Sequence, residues 1–173
     1  CAVLTLRNSC GARGTRIMAT VSYSWVPVTF ASFLNNTEMA GNQFGSAIAA
    51  SVNGQGYFGT WNTPDSSSVQ GRIVDGDGLP IAPEFTVNST TTNNQFDSSV
   101  AAALVGTNYL VTFTDTSTDP GGEVRARLVD ASGVPVTDDF IVSSAGSIAT
   151  DFDPDVAGLL DGGLQGCGQQ LGH

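Results

Sequence analysis

The sequence predicts an all-β fold assembled from a repeated unit of short antiparallel strands, and three observations carry that expectation. Residues 44–61 (FGSAIAASVNGQGYFGTW) lie over residues 96–113 (FDSSVAAALVGTNYLVTF) at a constant offset of 52, with Tyr57 over Tyr109 and Trp61 over Phe113. The second half of the unit, VQGRIVDGDGLPIAPEFTVN from Val69, lies over VRARLVDASGVPVTDDFIVS from Val124 at an offset of 55. Three residues inserted in the loop at 119–122 account for the change in offset. Within each unit, runs such as Glu-Val-Arg-Ala-Arg-Leu-Val alternate apolar and polar residues, as a strand with one buried face does, and no segment has a helical period.

Along the chain, residues 1–17 form an atypical leader with no alternation. Met18 offers an internal start, and a genuine N-terminal arm is the other reading. Residues 18–43 read as tail strands of a preceding unit, because SFLNNTEMAGNQF (32–44) matches EFTVNSTTTNNQF (84–96). The first complete unit spans 44–95 and the second 96–151. In the second, strands are expected at 99–104, 108–114, 123–130 and 138–142, separated by Val-Gly-Thr-Asn, Asp-Pro-Gly-Gly and Asp-Ala-Ser-Gly-Val-Pro. These separators supply the positive or fixed φ that chain reversals need. A third copy starts at Phe152 (FDPDVAGLLDGG, 152–163) and gives way to an atypical tail at 164–173. Small residues crowd the first strand (Ala49 and Ala50, Ala101 to Ala103), where neighbouring sheets would have to approach closely. Four short strands per unit describe a β-propeller-like blade; a sandwich module would need about seven strands in a longer repeat.

Composition excludes several chemistries. The 173 residues carry a net charge of −10, with 40% apolar and 13% charged side chains, too apolar for a disordered acidic tail. No stretch approaches the roughly 18 apolar residues of a membrane span. All six basic residues are arginines (7, 13, 16, 72, 125, 127), so lysine-based chemistry is absent. The single histidine, His173, argues against a Ser-His-Asp or histidine-rich zinc site. From residue 18 onward three arginines face sixteen acids, a net of −13, which argues against binding a nucleic acid. Cys1, Cys10 and Cys167 match no zinc or redox spacing and read as free thiols or one terminal disulfide, with a lipidated Cys1 as the sharper alternative.

The units resemble the propeller repeats of large secreted bacterial proteins of the hemolysin-like, type I secreted (RTX-associated) class. The matching residues are Val100, Ala101 and Leu104; Tyr57 and Trp61; Arg72, Asp75, Gly78 and Pro80; Arg127, Asp130, Gly133 and Pro135; and Glu84, Phe85, Val87 and Asn88. The resemblance covers residues 32–163 and implies an extracellular, adhesive or spacer role in a bacterial protein. The chain departs from that pattern in holding two units and a fraction, and in lacking the nonapeptide calcium repeats that accompany the class. Isolated blades leave open edges and unburied faces, so two or three copies of the chain are expected to complete the propeller as a homo-dimer or homo-trimer.

Candidate sites follow from the acids and aromatics. Asp151, Asp153 and Asp155, with Asp161 beyond, place carboxylates at i, i+2 and i+4; in an extended segment these share a side and would converge on a divalent cation, calcium first and zinc or another transition metal second. A solvated acidic turn is the plainer reading. Asp75-Gly-Asp77-Gly falls short of a calcium loop and reads as a turn. Trp61, Tyr57 and Tyr109, with Phe113, read as core between units or as an aromatic shelf for a sugar ring; Arg72 and Arg127, which align, read as paired to nearby acids, with ligand binding as the sharper alternative. Trp25 joins the same core or adds an edge strand. Asn35-Asn36-Thr37 and Asn88-Ser89-Thr90 each fit the glycosylation triplet, a match that reads as coincidence in a bacterial-looking chain. Together these favour a non-enzymatic extracellular interaction or adhesion module with calcium or glycan as ligands. The second reading is a metal-dependent hydrolase of esters or phosphoesters, its aspartates gathered in an oligomer and metal-bound water acting as nucleophile.

Overall fold

The structure, a computed structural model, describes residues 2–11, 14–23, 36–37, 40–106, 108–143, 150–158 and 164–171. The chain divides into two compact units, Cys1–Ser32 and Phe33–His173. In the first, β1 (Ala2–Gly11) and β2 (Gly14–Tyr23) pair antiparallel from Gly11↔Gly14 to Ala2↔Tyr23. This ladder crosses the boundary at residue 17 that charge and composition suggest.

The second unit is all-β, and no helix occurs among its described residues. Sheet 1 runs in sequence order through β3 (Phe44–Ala50), β4 (Gly56–Asn62), β5 (Val69–Asp75) and β6 (Phe85–Thr86). Sheet 2 repeats that meander with β7 (Gln95–Ala102), β8 (Tyr109–Asp115), β9 (Glu123–Val129) and β10 (Phe140–Ile141). Their registers are the same: Ala49↔Phe58 and Phe58↔Ile73 in sheet 1 become Ala101↔Leu110 and Leu110↔Leu128 in sheet 2. A third pair, β11 (Thr150–Gly158) and β12 (Leu164–Leu171), starts the pattern again. Residues 164–171 thus occupy the place of a unit's second strand despite their atypical sequence.

Two devices recur with the repeat. Each first strand carries a β-bulge, between Phe44 and Ala47, Phe96 and Ser99, and Phe152 and Asp155. At the equivalent residue φ is +59° (Gly45), +52° (Asp97) and +51° (Asp153). Glycine adopts that left-handed conformation freely and aspartate is among the few other residues that tolerate it, so the Gly/Asp/Asp series follows from the bulge. The second device is the turn after the third strand. Asp75 Oδ1 accepts from the N–H groups of Asp77 (3.0 Å) and Leu79 (2.8 Å), and Asp130 Oδ1 from those of Ser132 and Val134, both at 2.9 Å. Pro80 and Pro135 then bridge back to Val74 and Val129.

The sheets stack face to face around Phe58, Val69, Ile73, Val100, Tyr109, Val111 and Phe113. Phe58 meets Tyr109 edge-on at 5.2 Å between ring centroids and stacks on Phe85 at 5.8 Å. Ala47 and Ala49 pack on this core where the layers approach, and within sheet 1 a Cβ on Gly71 would lie 2.7 Å from the Phe58 ring. On the other side of sheet 2, a Cβ on Gly158 of β11 would come 2.5 Å from the Ala102 carbonyl oxygen. All seven residues of β8 are buried, because this strand is covered on both faces.

Candidate functional site

The bulge decides how the acidic run of β11 is displayed. The register shift between Phe152 and Asp155, with the left-handed Asp153, interrupts the extended geometry that would set three carboxylates on one side. Asp151 is buried, whereas Asp153 and Asp155 are exposed. Asp155 Oδ1 accepts from Ser99 Oγ at 3.1 Å. Asp153 faces Asp97, whose carboxyl is pushed above the usual carboxylate range by burial first, and then by the charge of Asp153 and a hydrogen bond to it. Among the described residues no group of three His, Cys, Asp or Glu side chains is arranged to hold a metal ion. Asp161 lies outside the described residues, as do Cys1, Trp25 and His173.

The aromatic and arginine candidates sort by face. In β4, Tyr57, Gly59 and Trp61 pair with Val74, Arg72 and Gln70 of β5. Alternation therefore brings Tyr57, Trp61 and Arg72 together on the face of sheet 1 that points away from sheet 2. A cleft of about 530 Å³ opens there, lined among others by Asn36, Gln43, Ser46, Ile48 and Trp61. Trp61 is only 6% exposed and contributes to its wall. Tyr109 and Arg127 occupy the corresponding face of sheet 2, which sheet 1 covers. Burial raises the Tyr109 hydroxyl above its ordinary range, partly offset by a hydrogen bond with Ser51. Phe113 is fully buried in the same interface.

Arg127 also belongs to a clamp between successive units. Its Nη1 donates to the Val87 carbonyl of the preceding unit (2.5 Å) and its Nε to the Thr137 carbonyl (2.8 Å). Beside it, Asp139 Oδ2 accepts from both the N–H and the hydroxyl of Ser89, each at 2.7 Å. One unit earlier, Glu84 Oε2 accepts from the N–H and hydroxyl of Thr37, again at 2.7 Å, and Arg72 Nε donates to the Ala82 carbonyl at 3.4 Å. Glu84 and Asp139 share the 55-residue offset and Thr37 and Ser89 the 52-residue one, so the alignment of the units is the signal that points to this pair.

No family model, curated protein or solved structure matches the chain.

Several further charged groups hold local structure. Asp115, fully buried, pairs with Arg125 (3.1 Å) and accepts from Gln95 Nε2 (3.1 Å) and the Ser117 N–H (2.7 Å). Asp65 is lowered to about 2 by hydrogen bonds from Ser67 and Thr63 in its loop, and Asp130 is lowered chiefly by the Ser132 hydroxyl. Asn88 is only 3% exposed; its Oδ1 accepts from the Val69 N–H at 2.8 Å, and its Nδ2 donates to the Thr90 carbonyl at 2.6 Å. A glycan on that nitrogen is incompatible with this packing.

Proposed function

We propose that the chain is a non-enzymatic interaction module of the extracellular, adhesive kind, its two sheets being propeller-type blades of the sort found in hemolysin-like secreted bacterial repeats. The observation that carries the reading is where the polar chemistry is spent. Asp75 and Asp130 hold turns, Asp115 and Arg125 form a buried pair, and Glu84, Asp139 and Arg127 join one unit to the next. What faces outward is sheet surface with the half-buried Tyr57, the exposed Ile48 and the adjoining cleft, into whose wall the largely buried Trp61 is set, an amphipathic surface suited to a glycan or an extended protein segment.

The test is retention of fluorescent protein on a glycan array and on bacterial and host cell surfaces, with and without calcium. Saturable binding that falls on substitution of Tyr57 supports the reading. Ester or phosphoester hydrolysis abolished by a chelator, with no surface binding, would replace it with the aspartate-based hydrolase.

A further inference from the structure

The loop from β3 to β4 holds the single Asn-Gly step of the sequence, Asn53-Gly54. The turn itself does not require the asparagine. In the second unit Val105 and Gly106 stand at the equivalent places, and both glycines take a left-handed φ, +67° at Gly54 and +93° at Gly106. What distinguishes Asn53 is how its side-chain amide is held. Its Oδ1 accepts from Ser51 Oγ at 2.7 Å and from the Gln55 N–H at 3.1 Å, and its Nδ2 donates to Gln55 Oε1 at 3.1 Å. Asn53 and Gly54 are both exposed, and even a Cβ on Gly54 would meet nothing within 4 Å. Neither a neighbouring segment nor a side chain at residue 54 therefore hinders approach of the Gly54 nitrogen to Asn53 Cγ.

We propose that Asn53 is a self-modifying site, converted to aspartate and isoaspartate through a cyclic imide with Gly54, with Ser51 and Gln55 assisting the step. The Gly54 nitrogen gives its proton to solvent and bonds to Asn53 Cγ. The Cγ–Nδ2 bond then breaks, and Nδ2 takes a proton from solvent and leaves as ammonia. Water opens the imide at either carbonyl, giving aspartate from one and isoaspartate from the other. Negative charge develops on Oδ1 as the new bond forms, and that is the atom on which two donors already converge, as donors do around a stabilised oxyanion. The Gly54 N–H must first release the Ser51 carbonyl, a 2.9 Å bond in an exposed turn where water takes its place. The aspartate formed keeps both donors and sets a carboxylate at the rim of a cavity of about 110 Å³ that Asn108 and Tyr109 also line. The modification is independent of any glycan the module binds.

Peptide mapping of the full chain by mass spectrometry, sampled during incubation in mildly alkaline buffer with isoaspartate assayed in parallel, tests it. Amide-to-acid conversion is expected at Asn53 ahead of every other asparagine. Ser51→Ala removes one of the two donors and should slow the conversion by about fivefold, the worth of a single exposed hydrogen bond. Val105→Asn gives the second unit an Asn-Gly step where Ala103 stands in place of Ser51, and conversion there should be slower than at Asn53. An Asn53 that stays an amide while the same chain unfolded in urea converts overturns the proposal. So does a Ser51→Ala rate equal to or above that of the wild type, or a Val105→Asn site as fast as Asn53.

Discussion

Replacing Asp139 with alanine tests the clamp between units most directly. The carboxylate is 1% exposed and stands 3.7 Å from Arg127 Nε, besides accepting the two 2.7 Å bonds from Ser89. Charge-assisted bonds contribute about 1.5–3 kcal/mol each, and orphaning a buried charge costs about 3–5 kcal/mol. Two features reduce that total: Ser89 is exposed, so its N–H and hydroxyl regain water, and Arg127 keeps its Val87 and Thr137 carbonyl acceptors. The expected loss is therefore about 3 kcal/mol, against about 1 kcal/mol for Ser89→Ala, which removes one hydroxyl. The two losses should not add, because Ser89→Ala removes nothing further once Asp139 is gone, giving a coupling near 1 kcal/mol. Urea unfolding of the four chains at neutral pH measures this, with equal m-values as the check that one transition is compared. A loss below about 1 kcal/mol for Asp139→Ala, or strictly additive losses, would refute the assignment of the clamp as a cross-unit tie.

Other substitutions probe the remaining devices. Asp115→Ala leaves Arg125 with Glu123 as its remaining acid and takes the acceptor from Gln95 Nε2 and the Ser117 N–H; it should cost about 2–3 kcal/mol in urea unfolding, while a loss under about 1 kcal/mol would mean that the pair contributes little. Gly71→Ala drives a methyl to within 2.7 Å of the Phe58 ring; a cost of about 1–3 kcal/mol is expected, and an unchanged melting temperature would contradict the close seating of that ring on β5. The Asp97 carboxyl titrates higher in the fold than unfolded, so the stability linked to it is complete below the ordinary carboxylate pKa and is lost as pH rises through the raised value. Asp153→Asn, which keeps a residue tolerant of the left-handed bulge, should then stabilise the chain by about 0.5 kcal/mol at pH 7 and by nothing near pH 3, after allowance for solvent screening. Destabilisation at pH 7 would run against the carboxylate contact.

The repeat makes most of this architecture visible in advance, since two aligned copies constrain strand placement more tightly than either does alone. The runs at 108–114 and 123–130 coincide with β8 and β9 to within a residue. The outer strand is shorter than the expected 138–142: only Phe140–Ile141 pairs, because the proline-bearing turn uses its bridge at Pro135 and leaves the next residues outside the ladder. The bulge is present in the sequence as Gly45, Asp97 and Asp153 at equivalent places, but carboxylates there look like ligands until the sign of φ is known. The clamp is hidden for another reason. Its partners are 47 and 50 residues apart and belong to different units, so no local pattern couples Thr37 to Glu84 or Ser89 to Asp139. Strand β12 has no alternation to announce it, and the available edge of β11 is what draws it in.

The double coverage of β8 has a thermodynamic corollary. In a stack whose layers touch only their neighbours, opening an end layer breaks one interface, whereas exposing the middle layer breaks two. Amide hydrogen exchange should therefore be graded along the chain, slowest at residues 110–114 and progressively faster toward β3 and β11, with the β8 amides reporting global unfolding and the flanking strands local opening. The second repeat is then the cooperative centre of the chain, and the others are stable in proportion to the company they keep.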